Sequence, residues 1–64
     1  NMKTVFIFTP AGTSDEVMLV LKHISVLKFD KNNEILSIYM DNNLLWTIND
    51  SNGILYKKIS EMLS

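Results

Sequence analysis

One imidazole and no thiol are available for chemistry in this chain. His23 is the only histidine among the 64 residues, and cysteine is absent. A general base has to lie within hydrogen-bond reach of the proton that it removes. No serine or cysteine nucleophile motif surrounds His23, so we interpret it as a structural or surface residue. An enzyme centred on His23 is the least favoured of three functional hypotheses.

The acidic and sulfur-containing side chains also favour structural roles. Asp15 and Glu16 are adjacent carboxylates in a turn-rich segment, where solvation explains them. Gly12 lacks the second glycine and the lysine of a phosphate-binding loop, and methionines usually fill gaps in a core. The aspartates at predicted turns or caps are Asp30, Asp41 and Asp50. We therefore predict no enzyme, no catalytic or metal site, and no cofactor.

The charge pattern gives nucleic acid little general attraction. The net charge is −1, and all six basic residues are lysine. Arginine, the usual bidentate reader of phosphate and guanine, is absent. Lys57 and Lys58 form the only adjacent basic pair, and Tyr39 and Trp46 would stack on bases only if they shared a face. A nucleic-acid-binding regulator that uses lysine-lined strands or loops is the alternative hypothesis.

Length and hydropathy predict one small domain away from membranes. A chain of 64 residues buries only about 60% of its unfolded surface. The apolar run from Val17 to Leu21 is far shorter than the ~20 residues of a membrane-spanning helix. We expect a cytoplasmic location, because neither cysteine nor an export signal is found. The domain comprises residues 1–64, and Asn1 before Met2 reads as a cloning remnant.

The first half of the chain predicts three strands. Residues 3–9 (KTVFIFT) are rich in β-branched and aromatic residues, and Pro10 ends this strand. Residues 16–30 fit two interpretations. We favour strands over Glu16–Leu21 and Ile24–Phe29, joined at Lys22 and His23. The alternative is a helix over residues 14–27, which gives a β-α-β-β-α order.

The segment EILSIYMDNNLLWTI, residues 34–48, predicts a β-hairpin with one wholly apolar face. A two-residue turn at Asn42 and Asn43 would pair apolar residues with polar ones. A three-residue loop over residues 41–43 avoids this, and burial selects that register. Its pairs are Met40 with Leu44, Ile38 with Trp46, and Leu36 with Ile48. Asn43 tolerates the left-handed conformation that such loops require.

The neighbouring elements extend the same face. A four-residue connection over residues 31–34 places Phe29 opposite Leu36 and Leu27 opposite Ile38. Near the C-terminus, Asp50 or Ser51 can cap a short helix, and Gly53 falls in its first turn. The apolar face of this helix is formed by Leu55, Ile59 and Met62. So short a helix has to dock on the sheet, over Leu36, Ile38 and Trp46.

These elements predict an α+β fold, a small antiparallel β-meander of about four to five strands with one C-terminal helix packed on one face. A single helix cannot cover both faces, so the remaining apolar surface folds over as a second layer or meets a partner. The candidate interaction surface is Val26, Tyr39, Leu45 and Thr47. We therefore expect a non-catalytic interaction or adaptor protein. It associates with itself through its sheet, most simply as a dimer, and it binds an unidentified protein partner.

From Glu16 onward, the rhythm EVMLVLKHISVLKF…ILSIYMDNNLLWTINDS…LYKKI resembles two known families. Small FlbD-type flagellar proteins and the strand-rich part of LytTR-type DNA-binding domains both alternate short strands and then begin a helix near a serine. The FlbD-type Asn-Pro-Asp is replaced here by Val20-Leu21-Lys22. LytTR domains are longer and basic where they touch DNA, whereas this chain lacks arginine. We therefore assign the chain to neither family.

Overall fold

The computed structural model describes residues 4–64, so Lys3 of the predicted first strand lies outside the described residues. Within this range the chain forms five strands and one α-helix. The strands are β1 (Val5–Phe8), β2 (Val17–Val20), β3 (Ile24–Asp30), β4 (Ile35–Met40) and β5 (Leu45–Asn49), and the helix is α1 (Ile54–Leu63). Two short 3₁₀ turns, Leu21–His23 and Ser51–Gly53, precede β3 and α1.

The predicted α+β class and the C-terminal helix are confirmed, but the strands form two sheets instead of one meander. β1 and β2 make a two-stranded antiparallel ribbon, and β3, β4 and β5 make a three-stranded antiparallel sheet. The helix alternative for residues 14–27 is wrong, because this stretch contains two strands. The 3₁₀ turn at Leu21–His23 separates them, and buried Leu21 anchors that turn in the core.

The predicted register of the three-stranded sheet is confirmed. The core-facing pairs are Leu27 with Ile38, Ile38 with Trp46, Phe29 with Leu36, and Leu36 with Ile48. At the hairpin, Asn43 adopts the expected left-handed conformation with φ of 70°. The Met40 N–H donates to the Leu44 carbonyl over 2.9 Å, which closes the three-residue loop. Tyr39 and Trp46 therefore lie on opposite faces of the sheet.

The ribbon folds across the apolar face and forms a second layer. Its inward residues include Phe8 and Leu19, which are buried in the same core as the sheet. Phe8 meets Trp46 edge to face, with ring centroids 5.9 Å apart. The Ala11 N–H donates to the Thr47 carbonyl over 3.1 Å, so the loop after β1 covers part of the β5 edge. Ribbon and helix thus share the task of covering one face.

Helix α1 covers the part of this face near β3. Ile59 is fully buried, while Leu55 and Met62 pack against the core as partly buried residues, as the spacing predicted. Tyr56 adds a stacking contact with Phe29, with ring centroids 5.6 Å apart. Because these rings belong to the helix and to β3, the stack fixes the helix against one side of the sheet.

Asp50, and not Ser51, holds the start of the helix. Its two carboxylate oxygens accept hydrogen bonds from the backbone N–H groups of Leu55 and Tyr56, each over 2.8 Å. The residue is only 2% exposed. These N–H groups belong to the first turn, which has no partners within the helix. The buried carboxylate therefore supplies the partners and also lies near the positive end of the helix dipole.

Gly53 lies before the helix and not in its first turn, in a left-handed conformation with φ of 67°. A Cβ atom there would lie 3.1 Å from the Phe29 ring. The neighbouring turn is tied to residues 31–34, because the Glu34 carboxylate accepts the Asn52 N–H over 2.7 Å. The Glu34 carbonyl also accepts the Asp50 N–H over 2.8 Å. Two turns at the same end of the sheet are thereby joined.

Asp50→Ala should lower the free energy of unfolding by about 2 kcal/mol, because two N–H groups of the first helical turn lose their acceptors. Asp50→Asn keeps one acceptor oxygen and should lose less. Urea unfolding followed by Trp46 fluorescence measures both. Asp15→Ala, at an exposed carboxylate, is the control and should stay close to the wild type. An unfolding midpoint for Asp50→Ala equal to that of the wild type would show that this cap is dispensable.

Gly53→Ala should destabilise the protein more than Gly12→Ala does. Both glycines have a positive φ, of 67° and 78°, so both substitutions strain the backbone. Only at Gly53 does the added methyl group also press on Phe29; nothing lies within 4 Å of the corresponding position at Gly12. We expect about 1 kcal/mol for the backbone alone and roughly twice that at Gly53. Equal losses in thermal unfolding would mean that the Phe29 ring moves aside freely.

Candidate interaction surface

The face of the three-stranded sheet that points away from the core carries the predicted surface. Val26, Tyr39 and Leu45 lie directly opposite one another on β3, β4 and β5, so they form one continuous row. Val26 and Leu45 are each 50% exposed. Thr47 belongs to the next row, beside Ser37 of β4. The sheet therefore brings three of the four candidate residues side by side and places the fourth next to them.

Local contacts set the shape of this row. The register shifts between Ile24 and Val26, which is the signature of a β-bulge. The hydroxyl group of Ser25, within the bulge, donates a hydrogen bond to the Tyr39 carbonyl oxygen over 3.0 Å. The ammonium of Lys28 lies 5.9 Å from the centre of the Tyr39 ring, within range of a cation–π contact. Tyr39 is thus held from both its backbone and its ring.

The remaining rows of the same face are more polar. Asp30 and Asn49 flank Ile35 in the row at the far end. Hydrogen bonds from the backbone and the side-chain amide of Asn33 lower the pKa of Asp30, with further help from the Asn32 N–H. An aspartate is charged at neutral pH even at its ordinary pKa, and these hydrogen bonds keep Asp30 charged to lower pH. The continuous apolar part of this face is therefore the row of Val26, Tyr39 and Leu45, with a charged boundary at one end of the sheet.

A second apolar surface lies on the outside of the ribbon. Two cross-strand pairs form it, Val5 with Val20 and Ile7 with Met18. Their exposed fractions range from 38% to 60%, and none of the four side chains carries a charge. We call these four residues the ribbon quartet. They were not among the predicted site residues, although the uninterrupted apolar runs VFIF and VMLV indicate strands that are apolar on both faces.

His23 takes part in a structural pairing. Its Nδ1 atom lies 2.9 Å from a carboxylate oxygen of Asp41, and the Asp41 N–H donates to the His23 carbonyl over 2.7 Å. These two contacts connect the 3₁₀ turn before β3 to the hairpin loop. Both side chains are about half exposed and border an open groove of about 390 Å³ between β2 and the β4–β5 hairpin. These two contacts give His23 a structural role, because they hold the hairpin loop against the 3₁₀ turn.

Four of the lysines in residues 4–64 lie on three different parts of the structure. Lys28 lies on the open face of the sheet, beside Tyr39. Lys31 and Lys57 border a different groove, near Tyr56, which they share with the acidic Glu34. Lys22 lies in the 3₁₀ turn before β3. A carboxylate therefore lies beside the lysines of this groove.

Among residues 4–64, no group of three or more histidine, cysteine, aspartate or glutamate side chains has the arrangement of a metal site. In the same part of the chain, the only α-helix is too short to cross a membrane. No protein-family model matches the chain, and comparisons with curated proteins and with solved structures found no significant similarity.

Proposed function

We propose that this protein acts through protein–protein contact and associates with itself through exposed apolar sheet surface. The observation that carries the proposal is that two sheet faces remain uncovered after the chain has folded. One is the ribbon quartet, and the other is the row of Val26, Tyr39 and Leu45. Single exposed apolar residues are ordinary, whereas contiguous groups on a small domain mark contact sites.

The size of the chain makes this exposure costly. A domain of 64 residues has a small core, so its margin of stability is narrow. The side chains of the ribbon quartet are 38% to 60% exposed, and burying the exposed part of one against a partner is worth roughly 1 kcal/mol. Association therefore offers stabilisation that the isolated chain lacks. Two separate faces also allow an adaptor role, in which one face holds a second copy and the other holds a different protein.

Light scattering coupled to size-exclusion chromatography tests the proposal. We expect a dimer or a larger assembly at tens of micromolar. Met18→Glu places a charge on the ribbon quartet, and Leu45→Glu places one on the sheet row; at least one of them should give a monomer. Asn49→Glu adds the same charge to the open sheet face but outside the apolar row, and it should associate like the wild type. A monomeric wild type at these concentrations would remove the self-association.

The alternative function is nucleic-acid binding through the groove that Lys31 and Lys57 share beside Tyr56. It predicts an affinity for single-stranded DNA or RNA that falls steeply with salt, because lysine contacts release counterions from phosphate. Lys31→Glu combined with Lys57→Glu should then abolish binding. Fluorescence anisotropy at low and at physiological ionic strength provides the measurement. No change in anisotropy at low salt would exclude this alternative.

A further inference from the structure

The strand edges of this protein differ in how well they are protected against another strand. The outer edge of β3 has a bulge and carries the charged residues Lys28 and Asp30. At β5, the loop after β1 already occupies the Thr47 carbonyl through the Ala11 N–H. Bulges, charged side chains and covering loops are devices that hinder edge-to-edge pairing. Both outer edges of the three-stranded sheet therefore have some protection.

Neither ribbon strand has any of these devices, and β2 differs from β1 because residues of opposite charge lie at its two ends. Val17–Val20 contains no charge and no proline, and its register with β1 runs without a bulge. Within residues 4–64, no other strand pairs with the edge of β2 that faces away from β1. The strand also forms one wall of the open groove that His23 and Asp41 border. An uncharged and unpaired edge beside open space can take up another strand.

The charges at the two ends of β2 indicate which strand would fit. Asp15 and Glu16 precede the strand, Lys22 follows it, and all three are exposed. Two copies of β2 side by side in the antiparallel direction bring the acidic end of each next to the basic end of the other. A parallel arrangement would bring like charges together. The strand is thus complementary in charge to an antiparallel copy of itself.

We infer that β2 is the dimerisation edge, where two copies pair antiparallel about a twofold axis to form a four-stranded sheet in the order β1–β2–β2–β1. This inference rests on the proposed self-association and specifies its geometry. Directly opposed residues in an antiparallel pair lie on the same face. Outward Met18 and Val20 must therefore meet outward residues, and inward Leu19 must meet inward ones.

Registers centred on a residue satisfy this condition, and two of them pair three of the four β2 residues of each copy, one centred on Met18 and one centred on Leu19. The register centred on Leu19 places Met18 opposite Val20 of the second copy. It also brings Glu16, just before β2, towards Lys22 of the second copy, in the 3₁₀ turn just after β2, at both ends of the interface. The register centred on Met18 leaves these charges unmatched, so the charge pattern selects the pairing about Leu19. The quartets of the two copies then form one continuous apolar surface, and the row on the three-stranded sheet remains available to a different protein.

Charge reversal tests this pairing directly. Glu16→Lys and Lys22→Glu should each weaken dimerisation about fivefold to tenfold, because each creates like-charge contacts at both ends of the interface. The double variant restores opposite charges and should return to the wild-type dissociation constant. Glu61→Lys and Lys31→Glu make the same changes in net charge away from β2 and should leave dimerisation unchanged. Sedimentation equilibrium measures all of these constants.

Cross-linking tests the register. The chain has no cysteine, so Met18→Cys and Val20→Cys each introduce a single thiol. Oxidation of an equal mixture of the two variants should give the mixed disulfide, with one chain of each variant, well above the twofold excess over either homodimer that random pairing gives, as measured by mass spectrometry. A predominance of disulfide homodimers of the Met18→Cys variant would overturn the Leu19 register. Lys31→Cys supplies the background from random collision.

The possible failures can be told apart. A monomeric wild type would remove both the proposed function and this inference. A dimer that Leu45→Glu dissociates, but that Met18→Glu and the charge reversals leave intact, would support the proposed function and overturn the assignment to β2. A dimer weakened by both single reversals and restored by the double variant would establish the antiparallel β2 pair.

Discussion

The central constraint on this structure is that a ten-residue helix has to close a core formed by strands that are apolar on more than one face. The helix covers only the β3 side of the three-stranded sheet, through Ile59 and the Tyr56–Phe29 stack. The β1–β2 ribbon folds over the remaining part of that sheet face and places Phe8 against Trp46. Covering the sheet in this way uses one face of the ribbon and leaves its other face in water. The exposed quartet is thus a direct consequence of how the core is closed.

Much of this arrangement could be predicted from the residues, because alternating hydrophobicity determines register strongly when one face is buried. The pairing of Ile38 with Trp46 and the left-handed Asn43 followed from that rule. The division into two sheets could not be predicted in the same way. VFIF and VMLV are apolar at every position, so no alternation indicates which face is inward or which strand is the neighbour. The position of the ribbon depends on the turn at Leu21–His23, whose anchoring contact is made in three dimensions.

The end of the sheet near the helix shows a second limit to what could be predicted from the sequence. Asp50 was a candidate cap by residue type, and the structure shows both of its oxygens in use. The links from Glu34 to residues 50–52 join positions far apart in the chain, and nothing in the local pattern indicates them. The need for a glycine at position 53 likewise depends on a residue far away in the chain, because a Cβ atom there would press on the ring of Phe29. The row of Val26, Tyr39 and Leu45 could be predicted from the strand register. The ribbon quartet could not, because the sequence does not indicate which face of the ribbon points into the core.

In the proposed dimer, a second copy pairs with the β2 edge that the chain leaves unpaired, and the ribbon quartets of the two copies lie side by side on one face. Amide hydrogen exchange of the wild-type protein at two concentrations, one below and one above the dissociation constant, tests this most directly. Exchange from β2 should slow at the higher concentration as dimers form, while exchange from α1 should change only by the gain in global stability. Identical β2 exchange over a roughly hundredfold range of concentration would contradict dimerisation at this strand.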